Sequence, residues 1–187
     1  MDRSPDLRRE AENTARAQRA AGVGYGVRGM RVADAARVAQ VHVEVWREAY
    51  RSNMSLDFLA GLSVDEFAEL WYERLRSPAA AAVKHIVGVH PRGHIVALAS
   101  AGTSRDSVPA ADRELWAINV SSSDHGTGLA DLMMMELLDR RSCSLWVLQD
   151  NARALAFYAR YGFLADGGEK LHDATGLSEI RLVRQGR

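Results

Sequence analysis

Cysteine is nearly absent from this 187-residue chain. Cys143 stands alone, so no intrachain disulfide can form and a multi-cysteine structural zinc site is excluded. A charge excess is missing too: 24 Lys and Arg balance 24 Asp and Glu. A protein that coats nucleic acid by charge needs a basic surplus, so no nucleic-acid partner is expected. No run approaches the roughly 18–20 apolar residues of a membrane span. The opening MDRSPDLRRE lacks the apolar stretch of a secretory leader, and the expectation is a cytoplasmic protein without a membrane partner. What remains is 47% hydrophobic and 26% charged, enough for one domain with its own core.

Residues 1–23 are rich in Arg, Ala, Glu and Asp, with little to bury. They read as a charged tail or a peripheral helix, and the domain proper spans 24–187. Asp34 stands where it can cap a helix, whose apolar positions Val38, Val41, Val45 and Ala49 recur at helical spacing. Ser63 and Glu66 form a capping box for a second helix with Phe67, Leu70, Trp71 and Leu75 on one face. His85–Val89 and His94–Ala99 flank Pro91-Arg92-Gly93, a hairpin signal. Glu114–Val120 is another strand, followed by a glycine loop and a helix carrying Leu129, Leu132, Met133 and Leu137. Ser144–Leu148 is a short apolar strand, Asn151 caps the next helix, and Phe163–Ala165 and Glu179–Val183 close the chain. The order predicts an α/β domain with a mixed, mostly antiparallel central sheet and flanking helices.

The loop His125-Gly126-Thr127-Gly128-Leu129-Ala130 carries the first chemical signal. Glycines at a helix start free backbone N–H groups to converge on one anion, and the helix dipole adds positive potential. Many strand-to-helix turns use glycine for geometry alone. The second signal is the string from Leu145 to Asn151 followed by Phe157-Tyr158-Ala159-Arg160-Tyr161-Gly162-Phe163.

Together these segments resemble the GNAT superfamily of N-acetyltransferases. The family loop reads Gln or Arg, two residues, Gly, one residue, Gly or Ala; here His125 takes the first position. The resemblance extends from about Tyr25 to Arg184 and implies the acyl-CoA N-acyltransferase fold. It implies an acetyl-CoA site where two parallel strands splay, here the one ending at Val120 and the one at Leu145–Leu148. The backbone of Ile118, Asn119 and Val120 would flank the pantetheine arm, His125 and the amides of Gly126, Thr127, Gly128, Leu129 and Ala130 the pyrophosphate, and Asn151 the pantetheine again. Tyr158 would protonate the departing thiolate; the alternative is a packed aromatic. Asp124 and Asp131 flank the loop where relatives often carry basic groups, which is unfavourable beside a pyrophosphate.

An attacking amine must be neutral, which costs a lysine-like group on the order of 4 kcal/mol at pH 7. Glu114 is the first candidate base and Glu44 the second; the alternative for Glu114 is an exposed strand-end carboxylate. Trp46, Tyr50 and Glu44, with Asp57, Phe58, Glu66 and Trp71 nearby, mix aromatics with carboxylates, which suits a cationic acceptor. The expectation is therefore direct transfer to a primary amine of a small molecule, such as an aminoglycoside-type antibiotic in a resistance role. Acetylation of a protein or peptide, or a non-catalytic acyl-CoA-binding module, are the alternatives. Many relatives pair, so a homodimer is expected. His85, His90 and His94 flank a turn, but no metal is expected. Met133, Met134 and Met135 cannot all face one way, and Cys143 reads as an inert packed thiol.

Overall fold

A computed structural model describes residues 4–186. Helix α1 (Ser4–Gly22) leads into β1 (Gly26–Gly29), then α2 (Ala35–Ala49), α3 (Leu56–Gly61), α4 (Val64–Arg76), β2 (Lys84–Val89), β3 (Ile95–Thr103), β4 (Arg113–Val120), α5 (Leu129–Leu137), β5 (Cys143–Leu148), α6 (Ala152–Arg160), β6 (Leu164–Leu171) and β7 (Ser178–Arg184). The seven strands form one sheet in the order β1-β2-β3-β4-β5-β7-β6. Every neighbouring pair is antiparallel except β4 and β5.

Local chemistry explains the element starts. Ser63 Oγ accepts the Glu66 amide at 3.2 Å and Asn151 Oδ1 the Ala154 amide at 3.0 Å, each satisfying one orphan donor of a first turn. Gly93 closes the β2–β3 hairpin at φ +88°, a conformation that favours glycine. Asp34 departs from expectation: its carboxylate does not cap α2 but binds Arg28 (2.6 and 2.8 Å) and the Arg31 amide (2.7 Å), closing the short 3-10 turn Val32–Asp34 and tying β1 to the chain before α2.

The sheet separates two cores. Leu115, Leu145, Leu129, Met133, Met134 and Phe163 fill the face under α5 and α6. Val38, Val41, Trp71, Val87 and Leu98 fill the face under α2 and α4. Met135 is exposed while Met133 and Met134 are sealed, as helical spacing requires. The described part of the 1–23 segment has more to bury than its lack of large apolar groups suggests. Ala17 and Ala20 are fully buried where α1 packs on α5, and Asn13 Nδ2 donates to the Arg160 carbonyl at 3.0 Å, which ties α1 to the end of α6. Small side chains let the two backbones approach closely. Among the described residues, no helix is long and apolar enough to cross a membrane.

Candidate active site

β4 and β5 run side by side for two pairs only, Arg113–Cys143 and Glu114–Ser144. Beyond that the strands part. Leu115–Val120 keeps its partner β3 on one side, Leu145–Leu148 keeps β7 on the other, and the sheet opens into a fork. A bulge in the β3–β4 ladder falls between Ser100 and Ala101, opposite Trp116. It turns the strand at the fork.

The β4–α5 loop stands over the fork's open end. Gly126 and Gly128 take φ of +75° and +91°, and open space surrounds the point where a Gly126 Cβ would stand. The Leu129 amide meets Thr127 Oγ1 at 3.3 Å, while the amides of Gly126, Thr127, Gly128 and Ala130 have no acceptor among the described residues. Four free donors at a helix start make an anion cradle. Gly128 has a second duty, since a Cβ there would lie 2.3 Å from the Arg16 carbonyl of α1.

Asp124 and Asp131 do not face that cradle as exposed charges. Asp124 is buried and accepts from Tyr25 Oη (2.8 Å) and Ser123 Oγ (2.6 Å). Asp131 is buried and accepts from Arg160 (2.8 Å) and Tyr161 Oη (2.9 Å). Both acids are consumed in bracing the loop against its neighbours. The acidic flanks expected to disfavour a pyrophosphate are thus structural.

His125 reaches back so that Nε2 lies 2.9 Å from the Val120 carbonyl, and Arg153 of α6 contacts its ring from across the fork. Ile118 and Asn119 are half-buried along the fork wall and Val120 is buried at its end. Asn151 lines a cavity of ≈ 520 Å³ at the mouth, between the end of α2 and the β5–α6 turn. Tyr158 lies in the core on the α6 side, 5.9 Å from the Phe163 ring. Burial drives its phenol pKa well above the ordinary value, so it holds its proton at neutral pH.

The opposite face of the fork is lined by rings and ion pairs. Trp116 and Trp146 follow the last β4–β5 pair by two residues on each strand. Trp46 and Tyr50 pack beside His172 of the β6–β7 loop, at 5.6 and 6.1 Å between ring centres. Burial and then the Glu179 charge push the Tyr50 phenol up to about 12. Glu44 is not among them. It lines a separate cavity of ≈ 730 Å³ with Arg37, Arg47 and Ser121–Ser123.

Glu114 needs correction on both readings. It is neither exposed nor a free base: it is 1% accessible, and Arg105 donates to it from the backbone (2.8 Å), from Nε (3.0 Å) and from a terminal nitrogen. Arg105 occupies both of its oxygens, so neither is offered to an attacking amine. Asp106 and Glu179 are engaged as well, Asp106 by Arg181 (3.1 Å) and Trp146 (2.9 Å), Glu179 by Lys170 (3.8 Å). Trp116, Trp146, His172 and these pairs escaped the sequence reading; the equal offset of Trp116 and Trp146 from the strand starts was the one available signal. His90 stacks on His94 at 4.6 Å while His85 lies apart on Ser100, and no three metal-ligating side chains gather among the described residues. Cys143 is buried, and burial raises its thiol pKa.

A parallel pair that forks beside a glycine loop of free amides defines an acyltransferase of the N-acyltransferase fold. The model of the acetyltransferase (GNAT) family matches residues 43–163, and the chain belongs to that family of N-acetyltransferases. It is 28% identical over 142 residues to YuaI, an uncharacterized N-acetyltransferase of Bacillus subtilis (strain 168), covering 72% of this chain and 78% of that one. The fold is shared with a Corynebacterium glutamicum ATCC 13032 structure described as histone acetyltransferase HPA2 and related acetyltransferase (TM-score 0.65, 19% identity, 88% and 97% of the two chains). It is shared also with PaiA N-acetyltransferase of Thermoplasma acidophilum, solved in complex with coenzyme A (TM-score 0.65, 15% identity, 86% and 98%).

Proposed function

We propose that this chain moves an acetyl group directly to a primary amine of a small molecule at the β4–β5 fork. The observation that carries the reading is the fork itself, two paired residues and then divergence, with a cradle of unbonded amides at its open end.

The family uses acetyl-CoA, and the residues present fit it. Gly126, Thr127, Gly128 and Ala130 offer amides to a pyrophosphate, and Ile118–Val120 of β4, unpaired with β5, flanks the pantetheine arm. Bound there, acetyl-CoA supplies an activated acyl group and a thiolate leaving group. Leu129 and His125 shape the cradle, and Asn151 closes the mouth. Tyr158 holds its proton at neutral pH and is the acid available to the thiolate, whose pKa near 8.5 makes a donor useful. Trp46 and Tyr50 belong to the acceptor wall on the other face. Deprotonation of the amine is left to solvent, because Glu114, Asp106 and Glu179 are held in ion pairs.

Nothing on the acceptor wall singles out an amino-sugar antibiotic. The test is thiol release from acetyl-CoA against aminoglycosides, polyamines, amino acids and short peptides. Turnover of small amines, with kcat in Tyr158→Phe lower by about 10²-fold at unchanged KM for acetyl-CoA, is the expected result. Turnover of peptides alone moves the acceptor to protein; unchanged kcat in Tyr158→Phe, with chemistry rate-limiting, removes the acid. With the amine deprotonated by solvent, kcat/KM rises with pH along the ionisation of the amine supplied. A profile that keeps one enzyme pKa for every amine overturns that part.

A further inference from the structure

Under α2 and α4 the sheet carries a row of rings with an arginine at each end. The Arg74 guanidinium lies 4.8 Å from the Trp71 ring centre. The His85 ring lies 5.6 Å from Trp71 and 6.4 Å from Trp116. The Arg105 guanidinium lies 5.0 Å from Trp116. The row crosses from α4 over β2 to β4 and ends at Trp116, beside the fork.

The charges of this face are unevenly matched. Arg181 has Asp106 and Asp166, Lys170 has Glu179, and Arg105 has Glu114. Arg74 has the face of Trp71 and no carboxylate among the described residues. Burial and the nearby Arg105 charge both weaken its hold on its proton, the signature of a cation facing another cation. Its charge also reaches His42 and His85.

His85 adds an independent observation. It is 8% exposed, its Nδ1 is 2.6 Å from Ser100 Oγ, and its Nε2 has no hydrogen-bond partner. Buried polar atoms are nearly always paired, so the unmatched His85 Nε2 marks a place where a polar group is missing, in the same ring row that Arg74 heads. Guanidinium on an aromatic floor is the arrangement that binds a planar or tetrahedral anion with two parallel hydrogen bonds.

We propose that the acceptor amine bears an anionic group, a carboxylate, phosphonate or phosphate, and that Arg74, which no carboxylate among the described residues holds, receives it at the end of the ring row that starts at the fork. The inference rests on the reading of the fork as the acetyl-transfer site. It replaces the polycationic acceptor expected from Trp46, Tyr50 and Glu44. A polyamine would bring more positive charge against Arg74, whereas an anionic amine neutralises it.

The experiment has two arms. In the first, kcat/KM is measured for matched amines with and without the anion: amino acids against their carboxamides, aminoalkyl phosphonates and phosphates against the corresponding amino alcohols. A preference for the anionic member of tenfold or more is expected. In Arg74→Met that preference falls to about unity with KM for acetyl-CoA unchanged, and Arg74→Lys restores part of it. In the second arm, the indole N–H signals of Trp71 and Trp116 are followed by NMR during titration with sodium phosphate at constant ionic strength, with acetyl-CoA binding to the same samples checked separately. The signals shift in the wild type and stay still in Arg74→Met. Preference for the neutral member, or an anion preference untouched in Arg74→Met, overturns the proposal, as does an absent phosphate response, and each leaves acetyl transfer standing. If no amine turns over, the phosphate arm decides the anion site, while failure of acetyl-CoA to bind sinks the acetyl-transfer reading alone.

Discussion

Glu114 shows how much the partner of a residue decides its chemistry. The same side chain on an open strand end is a base; sealed at the closed end of the fork and held by Arg105, it is a brace. Glu114→Gln removes the charge but keeps an acceptor, leaving the Arg105 guanidinium short of its anion. Because Arg105 is half-exposed, the loss falls below the full cost of breaking a buried pair, and about 2 kcal/mol is expected. Urea unfolding reads that loss. The pH dependence of kcat/KM stays where it was, and a shifted acid limb would return Glu114 to the catalytic list. Asp124 and Asp131 teach the same lesson, since a carboxylate's distance along the chain from a phosphate loop says nothing of which way it points.

Among the elements, α1 has the least expected role. Its contact with α5 runs through Ala17, Ala20 and the Arg16 carbonyl, and that carbonyl occupies the space beside Gly128. The two loop glycines should therefore respond differently to alanine. At Gly126 the neighbourhood is open, so Gly126→Ala costs only the strain of a positive φ, about 1–2 kcal/mol. At Gly128 the same strain is joined by a clash with backbone that no rotamer relieves. Gly128→Ala is expected to lose clearly more stability than Gly126→Ala in urea, and to expose α1 to limited proteolysis. Equal losses, with α1 still protected, would show that the helix does not bear on the loop. The hairpin, the α4 cap at Ser63 and the α6 cap at Asn151 were legible in advance, because each is set by residues within four positions of one another.

Over the whole molecule, the face under α2 and α4 makes folding sensitive to mild acid. His42 and His85 are pushed down to about 4, by burial first and by the Arg74 charge second, against an ordinary value of 6.5. The folded state then binds fewer protons than the unfolded state between those values, so stability rises with pH through that window. The contribution is complete above about pH 6.5 and is lost as pH falls toward 4, on the order of 1–3 kcal/mol for each ring. Chemical unfolding at pH 7.0, 5.5 and 4.5 should follow this slope, and replacing both histidines by glutamine should flatten it. A wild-type midpoint that does not move between pH 6.5 and 4.5 would contradict the neutral, buried state of the rings.

The sequence by itself determined what short-range chemistry controls. Glycines at 126 and 128, the Asn151 cap, the alternating strands and the Phe157–Phe163 string were enough for the α/β class, the strand order along the chain and the family resemblance. Tertiary structure decided the rest, because it depends on which distant segments become neighbours. Only the placing of β5 beside β4 makes a fork, sets Trp116 and Trp146 at its branch and seats Arg105 on Glu114. Only the stacking of α4 on β2 brings Arg74, Trp71 and His85 into one row. Hydrophobic periodicity reports which face of an element is buried, but a polar side chain takes its charge state and its partner from the groups packed against it, and the chain order does not contain that list.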